Sequence, residues 1–412
     1  MLVARAASAR EHGAPVRDVA RNPPLLCAFH GLQMSLFPIA VITLYWQAQL
    51  GMSASEMLLL QGLFGLAVAL VEFPSGYAAD RLGYRNTLLL GSALNAAGWA
   101  VYACAETFAH AVVAEALLGV GLALISGTDS ALLFESLREK GEDARFRVWD
   151  GRFRFFGQIS EAAAALCAGL LYAVAPWLPF LVQALVWCVG AGIAFVLREP
   201  ARHLPTGGGH VRRVVSMVGR VFGGDRRLAA IVALTIALGL SSFVPVWLVP
   251  LYARDAGVPV TWLGPIWAVA NAIVAVASLA SDRVASRFGL VPTLAACVVL
   301  VGAGYAGLAL SFGTFGFAFY FLLTLQRGLC GPALLHEEQH LVPSSDRAGF
   351  LSLRSLLFRL GFLALSGPVG RAVDAHGQHT VLLVLGASLT AAALLAWCAV
   401  ARLFRRPAVS AA

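Results

Sequence analysis

The chain has 412 residues, of which 59% are hydrophobic and only 13% charged, and its formal net charge is +8. Soluble domains carry about 25% charged residues. Apolar runs such as Leu181–Leu197 and Val381–Val400 match the roughly 20 residues that cross about 30 Å of hydrocarbon, so the composition excludes a soluble fold. The positive charge comes in short clusters between apolar runs, with Lys140 the one lysine among 30 basic residues, which argues against a continuous nucleic-acid-binding stripe.

In chain order, the apolar pattern predicts twelve membrane-spanning helices. The first six lie near 24–50, 54–79, 87–106, 108–136, 151–175 and 177–198. The second six lie near 227–253, 260–281, 290–311, 313–340, 348–373 and 378–402. The chain thus divides into a tail (1–23), a six-helix half (24–198), a polar Gly- and Arg-rich linker (199–226) containing Thr206–Gly209, a second half (227–402) and a short tail (403–412). The N-terminus is basic, but its first apolar run is too long for a cleavable signal segment. The scattered cysteines at 27, 104, 167, 188, 297, 330 and 398 form no CxxC pair and are expected to pack as small apolar residues.

Basic residues give the expected topology. Arg5, Arg10, Arg17, Arg21, Arg81, Arg85, Arg138, Lys140, Arg145 and Arg147 collect on one side with the linker arginines, Arg283, Arg287, Arg347, Arg402, Arg405 and Arg406. The other side receives Arg254 and Arg371. The positive-inside rule therefore predicts that both termini are cytoplasmic. Heavy use of Arg and Ala is typical of a GC-rich bacterial genome, so a bacterial inner membrane is expected.

A gapless shift of 202 positions reveals an internal repeat. It carries Asp80-Arg81 onto Asp282-Arg283, Arg85 onto Arg287, Glu135 onto Glu337, Arg145 onto Arg347 and Arg152 onto Arg354. An even number of spans per half makes the copies parallel, related by an axis along the membrane normal.

The segment Gly76-Tyr-Ala-Ala-Asp80-Arg81-Leu-Gly83-Tyr-Arg85 resembles the loop-2/3 signature of the major facilitator superfamily, G-x-x-x-D-R-x-G-R-[RK], with Tyr84 in place of one basic residue. The resemblance implies an all-α integral membrane fold of twelve helices in two parallel halves, with alternating access and no catalytic residues, metal or other cofactor. It also implies that charges at the cytoplasmic helix ends form a gate. That role falls on Asp80, Arg85, Glu135, Arg145, Arg152, Asp282, Glu337, Arg347 and Arg354. The span-4 segment Glu115-Ala-Leu-Leu-Gly119-Val-Gly121 matches the family's glycines, but Glu115 stands where proton-coupled antiporters usually carry Arg.

Ionisable groups inside hydrocarbon cost several kcal/mol unless paired or hydrated. At 1.5 Å per residue, Asp129 lies about 9 Å in from Glu135, Arg327 about 15 Å from Glu337, and Glu161 about 13 Å from Arg152. On the same scale, Arg359 lies about 7 Å from Arg354 and Glu72 about 12 Å from Asp80. Glu115 falls about 30 Å from Glu135, near the opposite interface. Through the repeat, acids in the first half stand near the positions of arginines in the second. Two arrangements remain open: Asp129 and Glu161 face Arg327 and Arg359 across a central cavity, or each pairs within its own half.

His30 and Gln33 share a face of the first span and are further candidates for substrate contact. His336 and His340 are one turn apart on span 10, where a hydrated helix end is favoured over a metal site. Tyr45 and Trp247 are candidates for an aromatic lid. The expected function is secondary transport of a small organic solute by a monomer in the lipid bilayer, coupled to protons, with export favoured over import. Import of a nutrient, metabolite or siderophore by proton symport is the alternative. A membrane sensor or membrane-embedded enzyme is the reading from another class; no Walker loop, H-E-x-x-H or nucleophile elbow supports it.

Overall fold

In a computed structural model of the protein, the described residues are 19–200, 219, 224–311, 313–343 and 346–404. The side chains of 73–78, 80, 144, 147 and 348 are not among them. The tail before residue 19, the linker stretch Thr206–Gly209 and the tail from 405 onward lie outside the described residues, as does the side chain of Asp80.

Fourteen described α-helices build the twelve predicted spans. The first half contains α1 (Asn22–Met34), α2 (Ile42–Ala48), α3 (Ala54–Leu82), α4 (Tyr84–Ala103), α5 (Phe108–Ile125), α6 (Thr128–Glu139), α7 (Phe146–Val174) and α8 (Leu178–Val196). The second contains α9 (Arg226–Asp255), α10 (Leu263–Phe288), α11 (Leu290–Leu310), α12 (Tyr320–Leu341), α13 (Arg347–His376) and α14 (Gln378–Phe404). Ten segments are long and apolar enough to cross a membrane by themselves, the α5–α6 segment counting as one. The other two spans are α4, which opens on Tyr84-Arg85-Asn86 and contains Asn95, and the broken α1–α2 pair.

Spans 1 and 4, expected to be continuous, are each interrupted. Pro38 follows α1 and supplies no N–H to a helical ladder. In the break, the backbone N–H of Phe37 donates to Gln183 Oε1 on α8 at 3.0 Å as well as to the Ser35 carbonyl, which meets the demand that backbone groups in hydrocarbon be satisfied by protein. The second break, between α5 and α6, has Gly127 at φ 81°, a conformation that L side chains rarely adopt. Asn22, fully buried where α1 begins, donates to Ser136 Oγ on α6 and to the Arg198 carbonyl, and its own oxygen accepts from the Arg198 N–H. One amide side chain thereby ties three segments of the first half together.

The turn glycines correct the gapless repeat locally. α3 ends at Gly83, three residues after Asp80, whereas α10 ends at Gly289, seven residues after Asp282. Both glycines have positive φ, 98° and 88°. The extra four residues are close to one helical turn, so the charged pair keeps its place in the sequence repeat while the turn itself moves. The cysteine expectation also needs correction. Cys27, Cys297 and Cys330 are buried, but Cys104, Cys167 and Cys188 lie on the outer surface of the bundle.

The two halves meet most closely on the arginine-poor face, along α3 with α13 and α7 with α10. Asp374, near the end of α13, accepts from the Ala54 N–H at 2.8 Å, the Ser55 N–H at 3.0 Å and the Ser55 hydroxyl. These are the otherwise unpaired donors of the first turn of α3, so a carboxylate of one half caps a helix of the other. Nearby, Trp46 of α2 stacks on Trp247 of α9 with ring centroids 6.0 Å apart. A methyl group at Gly264 would overlap the Ala165 carbonyl, which is why α7 and α10 approach so closely. Toward the arginine-rich face the helices diverge: α6 packs on elements of the first half, and α12 on elements of the second.

Asp374→Ala is expected to loosen this closure. Loss of an N-terminal cap costs about 0.5–2 kcal/mol, enough to raise the population open on the arginine-poor face by roughly 2- to 30-fold. Spin labels at positions 48 and 256 should then show a longer-distance population that the unsubstituted chain lacks; an unchanged distance distribution would show that the cap does not hold the halves together.

Candidate functional site

Within the first half, Asp129 begins α6 just after the Gly127 break and is almost fully buried. Its Oδ2 lies 3.7 Å from His30 Nδ1 on α1, and the same nitrogen is 3.1 Å from Gln33 Oε1. The His30 ring stacks on Phe153 with centroids 3.7 Å apart. Asp129, His30 and Gln33 therefore form one cluster, and the arrangement with Asp129 facing an arginine of the second half is not the one found. Breaking span 4 at Gly127 turns the first residues of α6 toward α1.

The other deep acids do straddle the halves. Glu161 of α7 lies beside Trp267 of α10 and within the field of Arg327 of α12. Arg327 also reaches Asn271 Oδ1 at 3.5 Å. Arg359 of α13 lies within the field of Glu72 of α3 and bonds to Ser355 Oγ at 3.3 Å. So Glu72, rather than Asp129, is the second acid of the cross-half set. Arg327, Arg354, Thr235, Ser242 and Ser355 line a cavity of about 380 Å³ in the second half.

The contacts found among the described residues at the arginine-rich helix ends lie within their own halves in this conformation. Glu135 pairs with Arg138 at 3.6 Å, and Arg145 with Glu142 at 2.8 Å. Arg152 stacks over Trp149, 4.8 Å from the ring centroid. Arg347 bonds to the Gln339 and Val342 carbonyls. Arg85 donates to the Phe195 carbonyl and lies over the Phe195 ring, while Glu199 accepts from the Tyr84 and Arg85 N–H groups. Gly76 lies within α3, Gly83 makes the turn, and Arg81, Asp282 and Arg283 are exposed.

Arg354 is the exception in depth, and its partner is not the repeated acid. It donates to Glu338 Oε2 at 2.6 Å, and the Thr235 hydroxyl donates to Glu338 Oε1 at 2.9 Å. Glu338 is 0% exposed, whereas Glu337, the residue matched by the repeat, is half-buried. One residue of offset on a helix turns a side chain by about 100°, which puts Glu338 toward α9 and α13. His336 and His340 are exposed with rings 4.4 Å apart, and among the described residues no group of three metal-ligating side chains forms around them or elsewhere.

Sequence depth alone misplaced one acid. Glu115, assigned to the opposite interface, is 5% exposed and sits inside the first half. Its Oε1 accepts from Gln61 Nε2 at 2.9 Å and from the Tyr102 hydroxyl at 2.6 Å. Gln61, Asn95 and Glu115 line a mainly apolar cavity of about 330 Å³ walled by Trp99, Trp187 and Trp247. The legible signal was the pairing of Glu115 with Gln61, polar residues in two otherwise apolar spans. Tyr45 is no lid, since its hydroxyl donates to the Tyr102 and Ala105 carbonyls; Trp46 is the partner of Trp247.

Arg354→Ala should destabilise the protein by about 3–5 kcal/mol, because it leaves the Glu338 carboxylate buried without its cation. Adding Glu338→Gln to that variant should restore much of the loss. Thermal unfolding of the detergent-solubilised protein reads both effects, and equal stability of the two variants would mean that the pair carries no buried charge.

Comparison with known proteins accords with this architecture. The sequence profile of the Major Facilitator Superfamily matches residues 25–365. No curated protein sequence gives a significant match. Among solved structures, the nucleoside transporter NupG superposes with a TM-score of 0.74 at 15% identity, covering 94% of this chain and 100% of that one. An auto-inhibited peptide transporter of the POT family superposes with a TM-score of 0.77 at 14% identity, covering 95% and 98%. At such identities the likeness is one of fold. The profile match spans most of the chain, and with the paired halves it establishes that this multi-pass membrane protein, a transporter of a small-molecule substrate, belongs to the Major Facilitator Superfamily.

Proposed function

We propose that the protein is a secondary active transporter that moves a small organic solute by alternating access, coupled to protons, with export favoured over import. The observation that carries this reading is that acids of the first half lie within the electrostatic reach of arginines of the second, Glu161 of Arg327 and Glu72 of Arg359. A carboxylate facing an arginine in a poorly hydrated cleft holds the halves together electrostatically. Protonating that carboxylate removes the attraction and frees the arginine for an anionic group of the solute. Proton and solute thereby act on the same contact, which is what coupling requires: a ligand shifts a conformational equilibrium only through its differential affinity for the two states.

The gate reading for the arginine-rich helix ends belongs to the same cycle. With the arginine-poor face closed, Glu135, Arg145, Arg152 and Arg347 make contacts within their own halves. When that face opens, the arginine-rich ends of α6, α7, α12 and α13 come together, and these charges exchange partners. The arginine-rich face is then cytoplasmic, in keeping with the positive-inside rule, and the working unit is a monomer in a bacterial inner membrane.

The test begins with a ligand-induced thermal-shift screen and continues with flux of the first ligand found, in proteoliposomes with and without a pH gradient. Wild-type accumulation should depend on the gradient. Glu161→Gln should abolish gradient-driven accumulation while leaving solute exchange in place, and Arg327→Gln should weaken ligand binding tenfold or more, on the order of a charged hydrogen bond. Flux that ignores the gradient and survives Arg327→Gln would overturn the coupling and the site together. Inward-only flux would overturn the preference for export.

A further inference from the structure

The cavity around Glu115 has features that neither proton coupling nor the cross-half arginines explain. Among the described residues, Glu115 is the one ionisable side chain that lines it, and no Lys, Arg or His does. Both donors that hold Glu115, the Gln61 amide and the Tyr102 hydroxyl, reach the same oxygen, Oε1. The indole rings of Trp99, Trp187 and Trp247 line the same space. Trp187 and Trp247 are 3% and 8% exposed, and their Nε1–H groups have no hydrogen-bond acceptor. A buried carboxylate beside an apolar cavity walled by three indoles describes a site shaped for a ligand.

The chemistry of the walls selects that ligand. A carboxylate in an apolar cavity attracts a cation and repels an anion, and the negative faces of aromatic rings attract a cation as well. Apolar walls favour an apolar body, and the volume of about 330 Å³ lies at the small end of ligand pockets. A carboxyl that served only packing would have no cavity beside it; one that served only as a proton carrier would need no aromatic walls.

We propose that this pocket binds the cationic end of the transported solute, a protonated amine carried on an apolar body about the size of one aromatic ring. The assignment deepens the transporter reading and rests on it for the word solute, but binding itself needs no flux. Glu115 supplies the counter-charge, Gln61 and Tyr102 orient it, and the three indoles enclose the ring.

The experiment is equilibrium binding to the full chain in detergent, followed by intrinsic tryptophan fluorescence and thermal shift. The probes are 2-phenylethylamine, its neutral counterpart 2-phenylethanol and the anion 3-phenylpropanoate. The expected order is amine over alcohol by about tenfold or more, the scale of a charge-assisted bond in a buried site, with the anion weakest. Glu115→Gln should bring the amine-to-alcohol ratio close to one and leave alcohol binding intact, which also reports that the variant is folded. Trp99→Ala should weaken both probes and keep their ratio. Equal binding of amine and alcohol to the wild type, a ratio that survives Glu115→Gln, or no binding of any probe would each overturn the proposal. If amine binding is found and flux is absent in proteoliposomes, the transporter reading fails while the pocket assignment stands; the reverse result separates them the other way.

Discussion

An ionisable side chain inside a bilayer must find a partner within the protein or bring water with it, and that constraint organises this molecule. Five buried or half-buried acids meet it in different ways. Glu115 is held by an amide and a phenol, Asp129 faces a histidine, and Glu338 is paired with Arg354. Glu161 and Glu72 stand before arginines of the other half. The first three fix local structure within one half. The last two join rigid bodies whose relative movement the fold permits, and their partners can be exchanged without unfolding either half.

Helix geometry supports the same division. The breaks in spans 1 and 4 lie beside the first-half cluster. The interruption at Gly127 sets Asp129 against His30, and the one after Met34 is stabilised by Gln183. The second half runs straight through the equivalent region, with α12 continuous past Arg327 and α9 continuous despite Pro245 and Pro250. The halves are alike in topology but not in how they present side chains to the cleft. The first offers the acids Glu161 and Glu72, and the second offers the arginines Arg327 and Arg359 together with the indoles Trp247 and Trp267.

Most of the architecture was legible in the sequence, because apolar run length and arginine placement are direct consequences of the bilayer. The repeat revealed the parallel halves, and the acid-versus-arginine contrast directed attention to Glu161, Arg327, Glu72 and Arg359. What remained hidden depended on azimuth and on local breaks. Counting residues from a helix end gives depth but not direction, so the repeat points to Glu337 where Glu338 is the buried acid, and the choice between the two arrangements open to Asp129 rests on the break at Gly127. Counting residues likewise could not show that Glu115 is buried between Gln61 and Tyr102, because that depends on which neighbours its helix face meets.

The four residues that separate the turns at Gly83 and Gly289 have a consequence for anyone recombining the halves. Because four residues exceed one turn by only about 40° of rotation, the Asp-Arg pair of each copy keeps nearly the same compass bearing while its distance from the turn changes by a full helical pitch. A chimaera joined at the aspartate would inherit a helix one pitch too long or too short for the loop it must enter. Joined at the glycine, it would keep the loop and displace the charges. The duplicated motif is thus two modules, a charged pair and a turn, that have drifted apart along the helix axis and can be moved independently.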